Sequence, residues 1–168
     1  MNIDMQNILV KKALCLIQHY NHEKYWKMRA EVVNPNSKKN KLTRLYYLFR
    51  IKKMDAFHNA SMGTDFGAGA EFASPPKFVH GMNGIIIGHS AKIGKNVTIS
   101  QQVSVLQGPR GTHVEIGDNV ILGAGCKVIG NVKIGENSII GANAVVTHDI
   151  PANTIAAGVP ARVIRELN

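Results

Sequence analysis

Acidic side chains are scarce in this chain: 11 Asp and Glu stand against 20 Lys and Arg in 168 residues, a formal charge of +9 at pH 7. Cysteine is scarcer still. Cys15 and Cys126 lie far apart with no second pair, which excludes a disulfide framework and a cysteine-based metal spacing, and favours a reducing cytoplasm. Aromatic residues make up only 6%, with one Trp, so a core built on large rings is excluded. Long apolar runs are missing too. The stretch Ala13 to Ile17 is short and is followed by His19 and Tyr20, which argues against a signal peptide and a membrane span, and the expected location is cytoplasmic. At 18% charged and 45% hydrophobic residues the chain is not disordered, and its length excludes two large domains.

What is abundant is glycine, 16 residues, and positive charge gathered at one end. Residues 1–60 hold twelve Lys or Arg against Asp4, Glu23, Glu31 and Asp55, which is +8, whereas the rest of the chain carries +1. Such asymmetry suggests an anionic partner for the first third, such as a phosphorylated substrate, an acidic polysaccharide or a lipid surface; the alternative is a solvated helix face. No zinc-finger spacing, aromatic RNA-binding signature or helix-turn-helix accompanies the charge, so no nucleic acid is expected.

From Ile87 the sequence repeats every six residues. Ten blocks begin with Ile, Val or Leu, at 87, 93, 99, 105, 116, 122, 128, 134, 140 and 146. The second place is Gly in six of them, and the fourth is Asn, Asp or Gly in eight: Asn96, Gly108, Asn119, Gly125, Asn131, Asn137, Asn143 and Asp149. Those three types tolerate positive φ, so the fourth place predicts a left-handed corner. The fifth place is usually small or β-branched, as in Val97, Val120, Cys126 and Ala144. Because it stands two residues before the next first place, both side chains point to one side of an extended segment and line an interior. A helix is excluded, since six does not fit a 3.6-residue period and a Gly or Asn in nearly every block disfavours one. What remains is a parallel β-helix of short strands stacked coil on coil.

Phe66, Phe72 and Phe78 extend the spacing backward toward Ala60. Between Phe78 and Ile87 the interval is nine, and between Val105 and Ile116 it is eleven, so two segments leave the wall, one carrying His80 and the other His113. Before the solenoid, Leu42, Leu45, Tyr46, Leu48, Phe49 and Met54 recur at helical spacing, and an earlier helix is placed around residues 5–30. Three regions are expected: a basic helical region at 1–59 that caps the open coil, the β-helix at 60–155, and a C-terminal extension at 156–168.

The hexads, with the closing run Ala156-Ala157-Gly158-Val159-Pro160-Ala161-Arg162, resemble the hexapeptide-repeat acyltransferases, over about 100 of the 168 residues. The resemblance implies a left-handed parallel β-helix and a homotrimer with sites between protomers. Within that superfamily the chain looks most like serine acetyltransferases and their sugar-acetylating relatives. That branch carries a catalytic histidine just before a Gly-Ile-Val-Val-Gly-like strand, where His80 stands before Gly84-Ile-Ile-Ile-Gly88 with one residue inserted. It also carries an aspartate fifteen residues earlier, matched by Asp65, and a second histidine three residues before a post-loop hexad, matched by His113. The acidic residue before the first histidine is Val79 here, and the arginine before the second is Thr112, with Arg110 nearby.

Acetyl transfer from a thioester to an alcohol needs a base, oxyanion donors and a site holding both substrates. The resemblance assigns His80 as base, Asp65 as its orienting carboxylate, brought near by stacking, and His113 as a contact to acceptor or oxyanion. Acetyl-CoA is the implied co-substrate, with Ala124, Ala142 and Thr147 lining its groove and Arg162 meeting a phosphate; no metal is expected. The departures shift the expected acceptor from L-serine to a sugar hydroxyl of a surface polysaccharide precursor. Serine acetyltransferase proper is the nearest alternative, and a scaffolding or zinc-binding β-helix using His80, His89 and His113 is the other.

Overall fold

The structure, a computed structural model, describes residues 15–108 and 112–167. Among the described residues, a short helical stretch at 15–17 is followed by two longer helices before the wall, α1 (His22–Val33) and α2 (Lys41–Phe57). Each starts where an asparagine satisfies a free backbone donor: Asn21 accepts from the Lys24 N–H and Asn40 from the Thr43 N–H. The single helix expected around residues 5–30 is corrected. The chain turns left-handed at His19, φ 51°, and α1 begins only after Asn21; residues 5–14 lie outside the described residues.

Short strands then wind around three flat sheets. The first holds β1 (Ser61–Met62), β6 (Ile86–Ile87), β9 (Ser104–Gln107), β12 (Lys127–Gly130) and β15 (Val145–Val146), all parallel. The second holds β4 (Glu71–Phe72), β7 (Lys92–Ile93), β10 (Val114–Ile116) and β13 (Val132–Ile134). The third holds β5 (Lys77–Phe78), β8 (Thr98–Ile99), β11 (Ile121–Leu122), β14 (Ile139–Ile140) and β16 (Thr154–Ala157), and β17 (Arg162–Glu166) runs back antiparallel along β16. A small hairpin, β2 (Thr64–Asp65) with β3 (Ala68–Gly69), stands out from the first coil. Phe66 sits at the tip of this hairpin and not in a rung, under the Arg44 guanidinium at 4.3 Å. Its six-residue spacing to Phe72 is therefore not part of the wall.

The excursions show in the register of the first sheet. Ser61 pairs with Ile86, Ile86 with Ser104, Ser104 with Lys127 and Lys127 with Val145. The coils that begin at Ile86 and Lys127 are therefore three hexads each, whereas those that begin at Ser61 and Ser104 are longer. All ten first-place residues are buried, as are the fifth-place Ala91, Val97, Val103, Val120, Cys126, Val132, Ser138 and Ala144. Burial pushes the Cys126 thiol up to about 12, which makes it an inert core residue. The second-place glycines have a packing reason. A Cβ on Gly117 would stand 2.7 Å from the Glu136 nitrogen of the next coil, so any side chain there forces the coils apart.

Left-handed backbone occurs where the fourth place predicts it at Asn96, Asn119, Gly125, Asn137 and Asn143, but not at Gly108, Asn131 or Asp149. The difference follows the corner. The last three lie between the first and second sheets, where the corner is built differently: before Asn131 it is Gly130 that takes the positive φ, at 109°. At the second-to-third corner an asparagine ladder closes the turns, Asn119 Nδ2 donating to Asn137 Oδ1 and Asn137 Nδ2 to Asn153 Oδ1, each at 2.9 Å.

The helical cap is fastened by polar groups buried under it. Arg29, 3% exposed, lies against the Trp26 and Phe72 rings and donates to Thr64 Oγ1 and the carbonyls of Met62, Gly63 and Ala70. Arg44 donates to the carbonyls of Glu31, Val32 and Asn34, the free end of α1. The Tyr25 hydroxyl donates to Asp55 Oδ1 at 2.7 Å, while Asp55 Oδ2 has no hydrogen-bond partner among the described residues. Burial pushes the Asp55 carboxyl up to about 6 from 3.8, against the Tyr25 hydrogen bond and the nearby Lys52. A raised folded-state value means that the folded chain holds the extra proton between those limits, so this group lowers stability as pH rises through the window. We expect Asp55→Asn to melt close to the parent near pH 4 and to exceed it by about 2 kcal/mol near pH 7. Paired thermal melts across that range check this, and a pH-independent difference would refute it.

Candidate active site

Every residue singled out for chemistry lies at or near the two corners bounding the first sheet. His80, Ala124 and Ala142 occupy the corner where the third sheet turns into the first. His80 is exposed on a loop that bends at Gly81 and Gly84, φ 72° and 66°. That loop is pinned at both ends of its register: the Val79 N–H donates to the Ile99 carbonyl at 3.3 Å, and the Gly84 N–H to the His58 carbonyl just past α2 at 2.9 Å. A backbone ladder then runs down the corner, Gln102 N–H to Asn83, Gly125 N–H to Gln101 and Asn143 N–H to Ala124, so His80 and the two small residues share one edge.

The opposite corner, between the first and second sheets, collects the polar groups. Asp65 Oδ2 meets His89 Nδ1 at 2.5 Å, with both side chains about half exposed. A carboxylate only accepts, so His89 Nδ1 is the donor in this contact. In the next coil His113, half-buried, holds Glu115 Oε1 through Nε2 at 3.0 Å, with Lys92 Nζ at 3.7 Å from the same oxygen. The hydrogen bond from His113 is the largest cause that keeps the Glu115 carboxyl below its usual range. Thr147 lies at the same corner further along, and Arg162 Nη1 stands 2.7 Å from His148 Nε2 beside it. Arg110 lies outside the described residues.

The stacking expected to unite Asp65 and His80 does not occur within one chain. The first coil, from Ser61 to its partner Ile86, exceeds three hexads because of the β2–β3 hairpin and the His80 loop. The interval from Asp65 to His80 thus carries the chain from one corner to another instead of back over itself. Asp65 meets His89 instead, a residue that enters the sequence analysis only as a ligand in the zinc-binding alternative. Nor are His80, His89 and His113 gathered at one place within a chain, since the first stands at the other corner.

Residues 113–148 match the bacterial transferase hexapeptide (six repeats) family. Serine acetyltransferase of Staphylococcus epidermidis is 39% identical over 109 residues, 62% of this chain and 50% of that protein. Among solved structures, soybean serine acetyltransferase complexed with serine superposes with a TM-score of 0.64 at 29% identity, covering 92% of this chain and 57% of that one. A serine acetyltransferase in complex with CoA gives 0.65 at 27%, covering 84% and 54%. In sequence and fold the solenoid is similar to the hexapeptide-repeat acyltransferases, and among them to the serine acetyltransferases. Its winding is accordingly that of the left-handed parallel β-helices.

The chain spans about half the length of the curated relatives it matches. On the His80 loop, Val79 is 54% exposed and carries no charge. An apolar side chain there cannot neutralise an ammonium group on an acceptor. No helix among the described residues is long and apolar enough to cross a membrane.

Proposed function

We propose that the chain is an acetyl-CoA-dependent O-acetyltransferase with L-serine as acceptor. The observation that carries this is the 39% identity to a serine acetyltransferase over 109 residues. A thioester supplies the activated acetyl group, and the rest is the work of side chains. His80 takes the proton of the attacking hydroxyl and returns it to the departing sulfur, which suits an imidazole near neutral pH. His113, held by Glu115, presents its other nitrogen to the acceptor or to the developing oxyanion. Ala124 and Ala142 keep one edge of the groove low enough for a pantetheine arm to reach the backbone, and Arg162 offers a bidentate cation to a phosphate.

Because His80 and the Asp65–His89–His113 corner lie at opposite edges of the first sheet, a complete site requires two chains. A homotrimer in which one protomer's His80 edge meets the next protomer's polar corner supplies both halves, with Asp65 and His89 then orienting His80 across the interface. A sugar hydroxyl is the second reading, favoured by Val79, which removes the charge that would hold an amino acid's ammonium. The test is free-thiol release from acetyl-CoA with L-serine or with a panel of sugars. Turnover with L-serine supports the first reading, turnover confined to sugars supports the second, and neither, in a chain shown to bind CoA, refutes both.

A further inference from the structure

The geometry points to the outer face of α2 as a docking surface for an anionic lipid bilayer. In a helix packed on a soluble domain the apolar stripe faces inward. Here a second apolar stripe faces the other way. The inner face of α2 buries Ile51 and Met54 together with Arg44 and Asp55, whereas Leu42 and Phe49 point outward at 79% and 64% exposure. Tyr46, Leu45 and Phe57 continue that outward stripe at 54%, 43% and 58%, and positions 42, 45, 46 and 49 fall on one side of a 3.6-residue helix. Arg44 turns inward to the carbonyls ending α1 and Asp55 to the Tyr25 hydroxyl, so part of the inner face is given to polar groups. The outward stripe has no partner among the described residues that buries it.

The surroundings of the stripe identify its occupant. Lys41 and Lys52 border it on one side and Lys53 stands within it, all exposed, and the first third of the chain carries +8. Leu, Phe and Tyr on one face with Lys at the margins is the pattern of a helix lying in a headgroup region, its apolar side chains among the acyl chains and its ammonium groups on lipid phosphates. A second copy of this chain fits poorly, since stripe against stripe would set lysine against lysine. The helix packs on β1 at the end of the solenoid, and the loop bearing His80 is tied to His58 at the end of the same helix. A chain docked through α2 therefore holds that loop near the lipid surface.

Co-sedimentation of the full chain with phosphatidylglycerol-rich and with pure phosphatidylcholine vesicles tests this. The expected result is sedimentation with the anionic vesicles, weakened by salt, and little with the neutral ones. Lys41→Gln, Lys52→Gln and Lys53→Gln should each weaken binding about fivefold, and Leu42→Ser with Phe49→Ser at least about tenfold. Melting curves confirm that each variant is folded, and the lysine variants, which touch no buried group, keep the test open where the apolar pair unfolds. Equal binding to both vesicle types, binding to neither, or variants that bind as the parent does would each overturn the proposal. So would a serine-substituted stripe that lowers the particle mass in light scattering without altering vesicle binding, since the face would then join copies of this chain.

Discussion

Replacing His80 with alanine is expected to lower thiol release from acetyl-CoA by about 10²- to 10⁴-fold, the usual contribution of a positioned general base. CoA binding, measured by calorimetry, should change little, since His80 stands on an exposed loop and carries no part of the core. Asp65→Asn is expected to lower the rate at least about tenfold, because the amide no longer fixes one imidazole tautomer. The two variants together give a sharper result. If the site is shared between neighbouring chains, mixing His80→Ala and Asp65→Asn protomers rebuilds intact sites wherever an Asp65→Asn chain offers its His80 edge to a His80→Ala neighbour. Random trimers would then recover about a quarter of parental activity. A mixture no more active than its components would show that the two residues act within one chain or not together. The single chain also supplies a competitor, since His89 is the imidazole that Asp65 holds at 2.5 Å. His89→Gln inactivating while His80→Ala remains active would move the base to that corner.

The largest effect on folding is expected at Arg29. Its guanidinium is 3% exposed and burial lowers its pKa to about 10, so the fold holds a cation at a desolvation cost. What offsets that cost is the set of four acceptors it satisfies: the carbonyls of Met62, Gly63 and Ala70 and the Thr64 hydroxyl. Arg29→Ala leaves these groups dry and unpaired and removes the plane that lies against the Trp26 and Phe72 rings. We expect a loss of about 3–5 kcal/mol and a fall in Tm of about 10 °C or more, read by thermal melts. Arg29→Lys should recover only part of it, because one ammonium cannot span acceptors that the planar fork reaches at once. Full recovery by lysine would mean that charge and not geometry matters there. The melt of His80→Ala should match the parent, which separates the catalytic change from the structural one.

Much of this molecule is legible in the order of its residues. A six-residue repeat is a local pattern, and each block states its own rule, an apolar first place, a glycine and a small fifth place. The first places from Ile87 to Val146 and the fifth places from Ala91 to Ala144 are therefore buried as their spacing requires. His80 and His113 stood out for the same reason, since each falls in a segment that breaks the count. The contact between Asp65 and His89 did not declare itself. Their contact depends on the first coil being longer than three hexads, and that length is set by a hairpin whose residues carry no hexad signal. The register of Ser61 on Ile86 would have revealed it, placing Asp65 one coil below the segment of His89.

The sequence by itself thus determined the solenoid, its interior and the two segments able to carry chemistry, because strand, corner and core are settled within a few neighbouring residues. Only the tertiary structure decided which carboxylate meets which imidazole, and which face of α2 is turned to solvent. Those outcomes rest on the summed length of each coil and on buried arginines seeking carbonyl oxygens far along the chain. Neither quantity is a property of any short stretch, so neither can be read from one.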